Sequence, residues 1–248
     1  MSRKWLRERS KDAWYKKAKK EGYRSRASYK LLQIDERFEL FEPGMRVVDL
    51  GAAPGGWSQV AAILVGSGGS VIGVDLDPIA PLAEDEIGDD AAPATFLRGD
   101  ITRSDTVART LEAAGGAADV VISDMSPNIS GQYSVDQARS AHLAGKALAF
   151  AERVLVPGGA FICKVFEGED LKPFLDEVRA RFREVKVTSP AASRSSSSEV
   201  YVVARDFVAM KMPPLTEAWK EGTPVADAPI RKRKRAEKAE RDGSEDPR

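Results

Sequence analysis

The 248-residue chain is predicted to be an α/β protein carrying a doubly wound, mostly parallel sheet of seven strands, the last pair antiparallel. Three observations support this. Short apolar runs alternate with segments of helical periodicity from about residue 45 onward. The run Val47-Val48-Asp49-Leu50 passes through Gly51-Ala52-Ala53-Pro54-Gly55-Gly56 into a helical pattern at Trp57-Ser58, the form of a buried parallel strand, a tight turn and a helix start. The final two apolar runs, 184–188 and 199–206, are joined by a polar loop without helical pattern, which suits an antiparallel pair at a sheet edge.

In chain order, residues 3–20 interleave Arg and Lys with Trp5, Trp14 and Tyr15. This composition serves either RNA binding, with charge on phosphates and rings on unstacked bases, or a solvated helix whose aromatics dock on the body. Tyr23 to Leu32 opens a helix reaching about Phe38, with Ser25 or Ser28 as candidate cap, and Pro43-Gly44 ends it. Strands are predicted at 45–50, 71–75, 94–98, 118–124, 159–166, 184–188 and 199–206, and helices at 57–65, 78–86, 103–114, 136–155 and 170–181. From about Leu215 the chain turns polar and proline-rich and then runs Arg231-Lys232-Arg233-Lys234-Arg235. The expected organisation is a basic aromatic arm over 1–30, a ligand-binding domain over 31–212 and a disordered charged tail over 213–248.

The balanced total charge conceals an asymmetry. Residues 1–30 hold 12 Lys/Arg against 3 Asp/Glu, residues 231–248 hold 8 against 5, and the body between them holds 18 against 30. A basic arm on an acidic body points to a polyanionic partner. The single cysteine, Cys163, excludes an internal disulfide and favours a reducing compartment. The sequence shows neither a signal peptide nor an apolar run long enough to span a bilayer, so a cytoplasmic protein without a membrane partner is expected.

The turn after Leu50 departs from the dinucleotide fingerprint G-x-G-x-x-G, because position 53 is Ala and the next glycines are Gly55 and Gly56. Close approach of a pyrophosphate is disfavoured, and a nucleoside without phosphates, such as S-adenosylmethionine, fits better. Four predicted strands end in an acid at the edge where such sheets bind ligands: Asp49, Asp75, Asp100 and Asp124. Asp75 lies 24 residues after Gly51, near the offset of a ribose-binding acid. Asp75 and Asp100 can supply acceptors for two ribose hydroxyls and an adenine amino group. Each acid has an alternative use as a helix cap.

Few groups remain for chemistry. His142 is the only histidine, has no second ligand at metal spacing and reads as structural, and Cys163 falls in mid-strand. No metal site is expected. Lys164 stands out because Phe161-Ile162-Cys163-Lys164-Val165-Phe166 is otherwise apolar, and lysine is rarely buried unpaired. Its amine would lie at the same edge as Asp124, with Glu199 bringing a second carboxylate nearby.

The segments Asp49–Ser58, Ser123-Asp124-Met125-Ser126-Pro127-Asn128, Cys163-Lys164-Val165-Phe166 and Ser197-Ser198-Glu199-Val200-Tyr201, with Arg26-Ala27-Ser28-Tyr29-Lys30-Leu31 upstream, resemble the FtsJ-type RNA ribose 2′-O-methyltransferases. The resemblance spans roughly 12–208 and is nearest to the branch acting on large-subunit ribosomal RNA uridines. It implies a Rossmann-like methyltransferase fold, S-adenosylmethionine as cofactor, and a Lys-Asp-Lys-Glu tetrad at Lys30, Asp124, Lys164 and Glu199. Cofactor contacts are implied at Gly55, Trp57, Asp75, Asp100 and Asp124. It further implies ribosomal RNA, in the large subunit or a precursor, as partner of a monomeric enzyme. Lys164 is the expected base for attack of a ribose 2′-oxygen on the sulfonium methyl; the other route keeps Lys164 charged and gives the proton to Asp124. Transfer RNA, a messenger cap, and a non-catalytic role in ribosome assembly are the alternative functions.

Overall fold

A parallel strand covered on both faces must be apolar along its length, and the first strand obeys this: in β1 (Arg46–Leu50) every residue after Arg46 is buried. The computed structural model describes residues 13–193 and 197–208; Trp5 with the rest of 1–12, and the chain from 209 on, including the tail expected over 213–248, lie outside the described residues. The elements after β1 are α3 (Gly56–Val65), β2 (Ser70–Asp75), α4 (Glu84–Ile87), β3 (Ala94–Arg98), α5 (Ser104–Ala113), β4 (Ala118–Ser123), α6 (Tyr133–Val154), β5 (Leu155–Phe166), α7 (Leu171–Arg179), β6 (Phe182–Thr188) and β7 (Glu199–Phe207), with α1 (Ala13–Lys20) and α2 (Ser28–Phe38) preceding the sheet.

The seven strands form one sheet in the order β3-β2-β1-β4-β5-β7-β6. β1 pairs in parallel with both β2 and β4, so the strand order reverses at the carboxyl end of β1, where open α/β sheets bind their ligands. β5 and β6 each pair antiparallel with β7. The expected antiparallel pair lies at the sheet edge, with β7 inserted between β5 and the outermost strand β6. β7 is buried over Val200–Ala204 while β6 is buried only at its ends, Phe182 and Thr188, so the more apolar strand takes the inner position.

Strand alternation divides the core into two layers. Val48, Leu50, Ile72, Val121, Phe161, Cys163 and Val202 face Leu148 of α6 and Phe174 and Val178 of α7. Val47, Val71, Ile122, Ile162, Tyr201 and Val203 face Leu31 and Ile34 of α2 and Trp57 and Val60 of α3. Lys164 and Glu199 belong by parity to this second face.

Several expected boundaries shift for identifiable reasons. The helix expected over 78–86 shrinks to Glu84–Ile87, since Pro78 and Pro81 fix the preceding backbone and lack donors. The helix expected from Tyr23 begins at Ser28. Neither expected serine caps it: Ala27 holds the cap position, and the Ser28 hydroxyl donates to the Gly56 carbonyl at 3.0 Å. β5 starts earlier, at Leu155, and α6 earlier, at Tyr133. The boundary expected at 30/31 falls inside α2. In α1, Ala18 is buried and Trp14 lies 5.0 Å from the Tyr29 ring, so this part of the basic arm docks on the body through its aromatic side. Lys16, Lys19 and Lys20 remain exposed on α1.

Asp49 is not at the open edge with the other strand-end acids. It is paired in register with Gly73 and Ile122, is 1 % exposed, and accepts a hydrogen bond from the Ser58 hydroxyl at 2.7 Å. Burial, reinforced by the Asp124 and Asp75 charges against the relief from Ser58, raises its pKa from 3.8 to about 7. A raised acid contributes stability that is complete below the unfolded value and fades as pH climbs through the folded one. Urea unfolding of Asp49→Asn should therefore show the variant gaining on the wild type between about pH 4 and pH 7.5, by at most about 4 kcal/mol. Parallel stability–pH curves would mean that Asp49 does not titrate in this window.

Candidate active site

The site is organised by the register of β5 and β7, which sets Lys164 opposite Tyr201 and Phe166 opposite Glu199. Opposed residues point to one face, so both polar side chains lie beside Tyr201 on the α2/α3 side. The Lys164 ammonium donates to the Asp124 backbone carbonyl at 2.6 Å and meets its carboxylate Oδ1 at 3.0 Å. The Tyr201 hydroxyl donates to the same Oδ1 at 2.7 Å. From α2, the Lys30 ammonium donates to Glu199 Oε2 at 2.8 Å and stands 5.5 Å from the centre of the Tyr201 ring.

The four tetrad positions named from the sequence thus come together as two ion pairs, Lys164–Asp124 and Lys30–Glu199, joined by Tyr201. Lys30 and Lys164 are 8 % and 5 % exposed, and burial at that level is tolerable because each meets a carboxylate. Tyr201 belongs to the motif Ser197–Tyr201, which by itself gives it no role. Its signal was the Glu-x-Tyr spacing, which places both side chains on one strand face. Burial and the nearby Asp124 and Glu199 charges push the Tyr201 phenol well above its ordinary value, so it remains a hydroxyl donor.

The residues expected to contact a cofactor fall into different structural settings. Gly55 has φ of 102°, and a Cβ there would come within 2.9 Å of Arg24 Nη1, so both backbone and space require glycine. The Trp57 indole is turned inward: it is 3 % exposed, donates to the Ala27 carbonyl at 2.8 Å and lies 5.7 Å from Tyr201. What Trp57 offers a ligand is its backbone N–H in the first turn of α3. Asp75 accepts from the Ala53 and Asp77 N–H groups, both at 2.9 Å, one on each oxygen. A carboxylate has about four acceptor positions, so Asp75 keeps capacity for ligand hydroxyls. Asp100 accepts from the Thr102 N–H at 2.8 Å and hydroxyl at 2.7 Å, both on Oδ1. The glycine turn, with acids at the ends of two neighbouring strands, fits a nucleoside.

His142 is exposed on α6, lining a groove of about 1010 Å³ with Leu76, Ser126, Asn128 and Arg139. Cys163 is buried, and burial pushes its thiol up, as a core role requires. Among the described residues no group of His, Cys, Asp and Glu side chains could hold a metal ion, and no helix is long and apolar enough to cross a membrane.

The model of the FtsJ-like methyltransferase family matches residues 23–207, which includes every residue of the two ion pairs. The chain belongs to the FtsJ-like methyltransferase family. It is 54 % identical over 196 residues to "Ribosomal RNA large subunit methyltransferase E" of Halorubrum lacusprofundi, covering 79 % of this chain and 70 % of that protein. It is 46 % identical over 207 residues to the protein of the same name from Methanobrevibacter smithii, covering 84 % and 95 %. A crystal structure of a candidate ribosomal RNA methyltransferase from Plasmodium falciparum shares the fold, with a TM-score of 0.64 at 23 % identity over 76 % of this chain and 100 % of that one.

Arg24 is a second residue that sequence reasoning passed over. Its Nε and Nη2 grip the Glu86 carboxylate at 2.8 and 2.6 Å, Nη1 donates to the carbonyls of Ala80 (2.7 Å) and Pro54 (3.3 Å), and Nη2 donates to that of Pro81 (2.5 Å). All five N–H groups of the guanidinium are used, and the Arg24 contact holds Glu86 below the ordinary carboxylate value. Lysine cannot reproduce this fork. Arg24→Lys should lower stability by about 1.5–3 kcal/mol and open the 80–86 loop to cleavage by a Glu-specific protease. Unchanged cleavage would show that the loop is held by other contacts.

Proposed function

We propose that the protein transfers a methyl group from S-adenosylmethionine to a ribose 2′-hydroxyl of a uridine in large-subunit ribosomal RNA. The observation that carries this is the convergence of Lys164–Asp124 on the hydroxyl of Tyr201 and of Lys30–Glu199 on its ring, beside the carboxyl ends of β1 and β4. Homologues bearing the ribosomal RNA large subunit methyltransferase name support the choice of RNA. A substrate within the large subunit or its precursor, met by a monomer, is part of the proposal, and the exposed lysines of α1 supply a surface for its phosphates.

In this reading Asp75 and Asp100 hold the cofactor's ribose and base, and the turn around Gly55 with the α3 N-terminus holds the remainder. Bound S-adenosylmethionine supplies a methyl already activated on a sulfonium sulfur, which leaves as a neutral thioether. The protein's part is alignment and removal of one proton. An amine nitrogen offers up to three hydrogens, and Asp124 accepts two of them from Lys164. The third position on Nζ is left to face the attacking hydroxyl and, once the amine is neutral, to take its proton. Lys30, fixed by Glu199, holds the ribose from the other side. Asp124, whose Oδ1 meets Lys164 and accepts from the Tyr201 hydroxyl, is the alternative base.

Three measurements test this. Calorimetry on Asp75→Ala should show S-adenosylmethionine affinity reduced by about 1.5–3 kcal/mol, and wild-type affinity would remove Asp75 from the site. Single-turnover methylation by Lys164→Arg should be abolished while cofactor affinity stays within about tenfold, since guanidinium keeps its proton. Near-normal turnover would pass the base role to Asp124. Mapping of 2′-O-methyl groups in ribosomal and transfer RNA from a strain lacking the protein would identify the RNA acted on.

A further inference from the structure

On the Lys30–Glu199 side lies a pocket of about 480 Å³, lined by Arg26, Lys30, Ile129, Tyr133, Phe166 and Glu199. Its volume falls in the range of small-ligand pockets, about 300–1,000 Å³. Two large apolar side chains at its mouth are strongly exposed, Ile129 at 63 % and Tyr133 at 62 %. Exposed apolar groups beside buried charges ask for a ligand that is flat and apolar on its faces and polar at its edges.

Tyr133 is exposed and also held in place. Its hydroxyl donates to the Glu167 carbonyl at 3.2 Å, a carbonyl that also accepts from the Gln137 amide at 2.6 Å. The loop before it is held by the Asp136 carboxylate, which accepts from the Ser130 N–H (2.8 Å), the Ser130 hydroxyl (2.7 Å) and the Gly131 N–H (3.0 Å). These bonds keep Asp136 below the ordinary carboxylate value, so the carboxylate is ionised at neutral pH. The ring therefore stands in solvent without the freedom of an ordinary surface tyrosine, and little entropy is lost when something stacks on it.

We propose that this pocket seats the target nucleotide, unstacked from its neighbours, with its base lying on the Tyr133 ring and against Ile129. The inference rests on the RNA-methylating reading above and adds to it the residue that receives the base. The ribose then lies toward Lys30 and Glu199. Reaching a 2′-hydroxyl buried among these side chains requires an extruded or single-stranded nucleotide, the form in which bases stack on protein aromatics. Tyr133 acts as a positioning residue through the base and takes no part in proton transfer.

The test compares wild type, Tyr133→Ala and Tyr133→Phe on an RNA fragment carrying the mapped uridine and on the same fragment with an abasic ribose there. Tyr133→Ala should lose about 10- to 100-fold in kcat/KM on the uridine RNA, mostly through KM, while S-adenosylmethionine affinity is unchanged. Tyr133→Phe should stay within about threefold, because the stacking face remains. On abasic RNA the wild type should fall to the level of the alanine variant, and Tyr133→Ala should cost nothing further, since the partner of the ring is gone. An unchanged kcat/KM in Tyr133→Ala, or an equal loss on uridine and abasic RNA, overturns the pocket assignment alone. A wild-type protein inactive on every RNA overturns the functional reading and this inference with it.

Discussion

The arrangement of the site depends on the antiparallel register of β5 with β7. Setting Lys164 opposite Tyr201 places an ammonium and a phenol side by side on one face, and both reach the single Asp124 oxygen at the end of β4. The same register carries Glu199 two residues along the face, within reach of Lys30 on the helix that covers it. A slip of β7 by one residue against β5 would turn Tyr201 and Glu199 away from Lys164, into the apolar cluster under α6 and α7. The apolar pattern of the two strands and the chemistry are therefore enforced by the same pairing.

Placing two lysines in this layer has a physical cost that the structure meets in kind. Desolvating an ammonium is unfavourable by several kcal/mol unless a counter-charge and further hydrogen bonds are supplied. Lys164 receives a carboxylate and a carbonyl, and Lys30 receives a carboxylate and the face of Tyr201. Asp49, buried without a cation, meets its burial differently, through a raised pKa and the Ser58 hydroxyl. The low-dielectric layer that strengthens the two ion pairs also disfavours ionisation of this acid.

The segment before α2 joins the two halves of the site. Arg24 ties the glycine turn to the 80–86 loop, and its own N–H is accepted by Gln59, whose amide donates to the carbonyls of Gly22 and Glu86. Three residues on, the Ala27 carbonyl accepts from Trp57, and Lys30 follows one turn into the site. The stretch that carries the basic charge is thus fastened to the turn that would hold the cofactor. Tyr29 receives the Trp14 ring of α1 at the same place, so the docked aromatic side of the arm and its exposed lysines are parts of one helix.

What the sequence determined by itself were features with a local period or a local motif. Strand and helix alternation, the glycine turn at 51–56, the terminal hairpin and the lone Lys164 in an apolar strand were all legible, because each is written in residues close along the chain. The resemblance to the FtsJ-type enzymes rests on motifs of the same local kind, and through them it names the tetrad positions. Tertiary structure alone decided the rest. It put β7 between β5 and β6, withdrew Asp49 from the ligand edge, turned the Trp57 indole into the core, and made Tyr201 the bridge between two ion pairs. It also closed all five donors of Arg24 onto residues 30 to 62 positions away, and held Tyr133 exposed at the mouth of a pocket. These outcomes share a reason. Each depends on which strand or loop lies alongside another, and that is set by burying the whole sheet at once, a balance that no local spacing encodes.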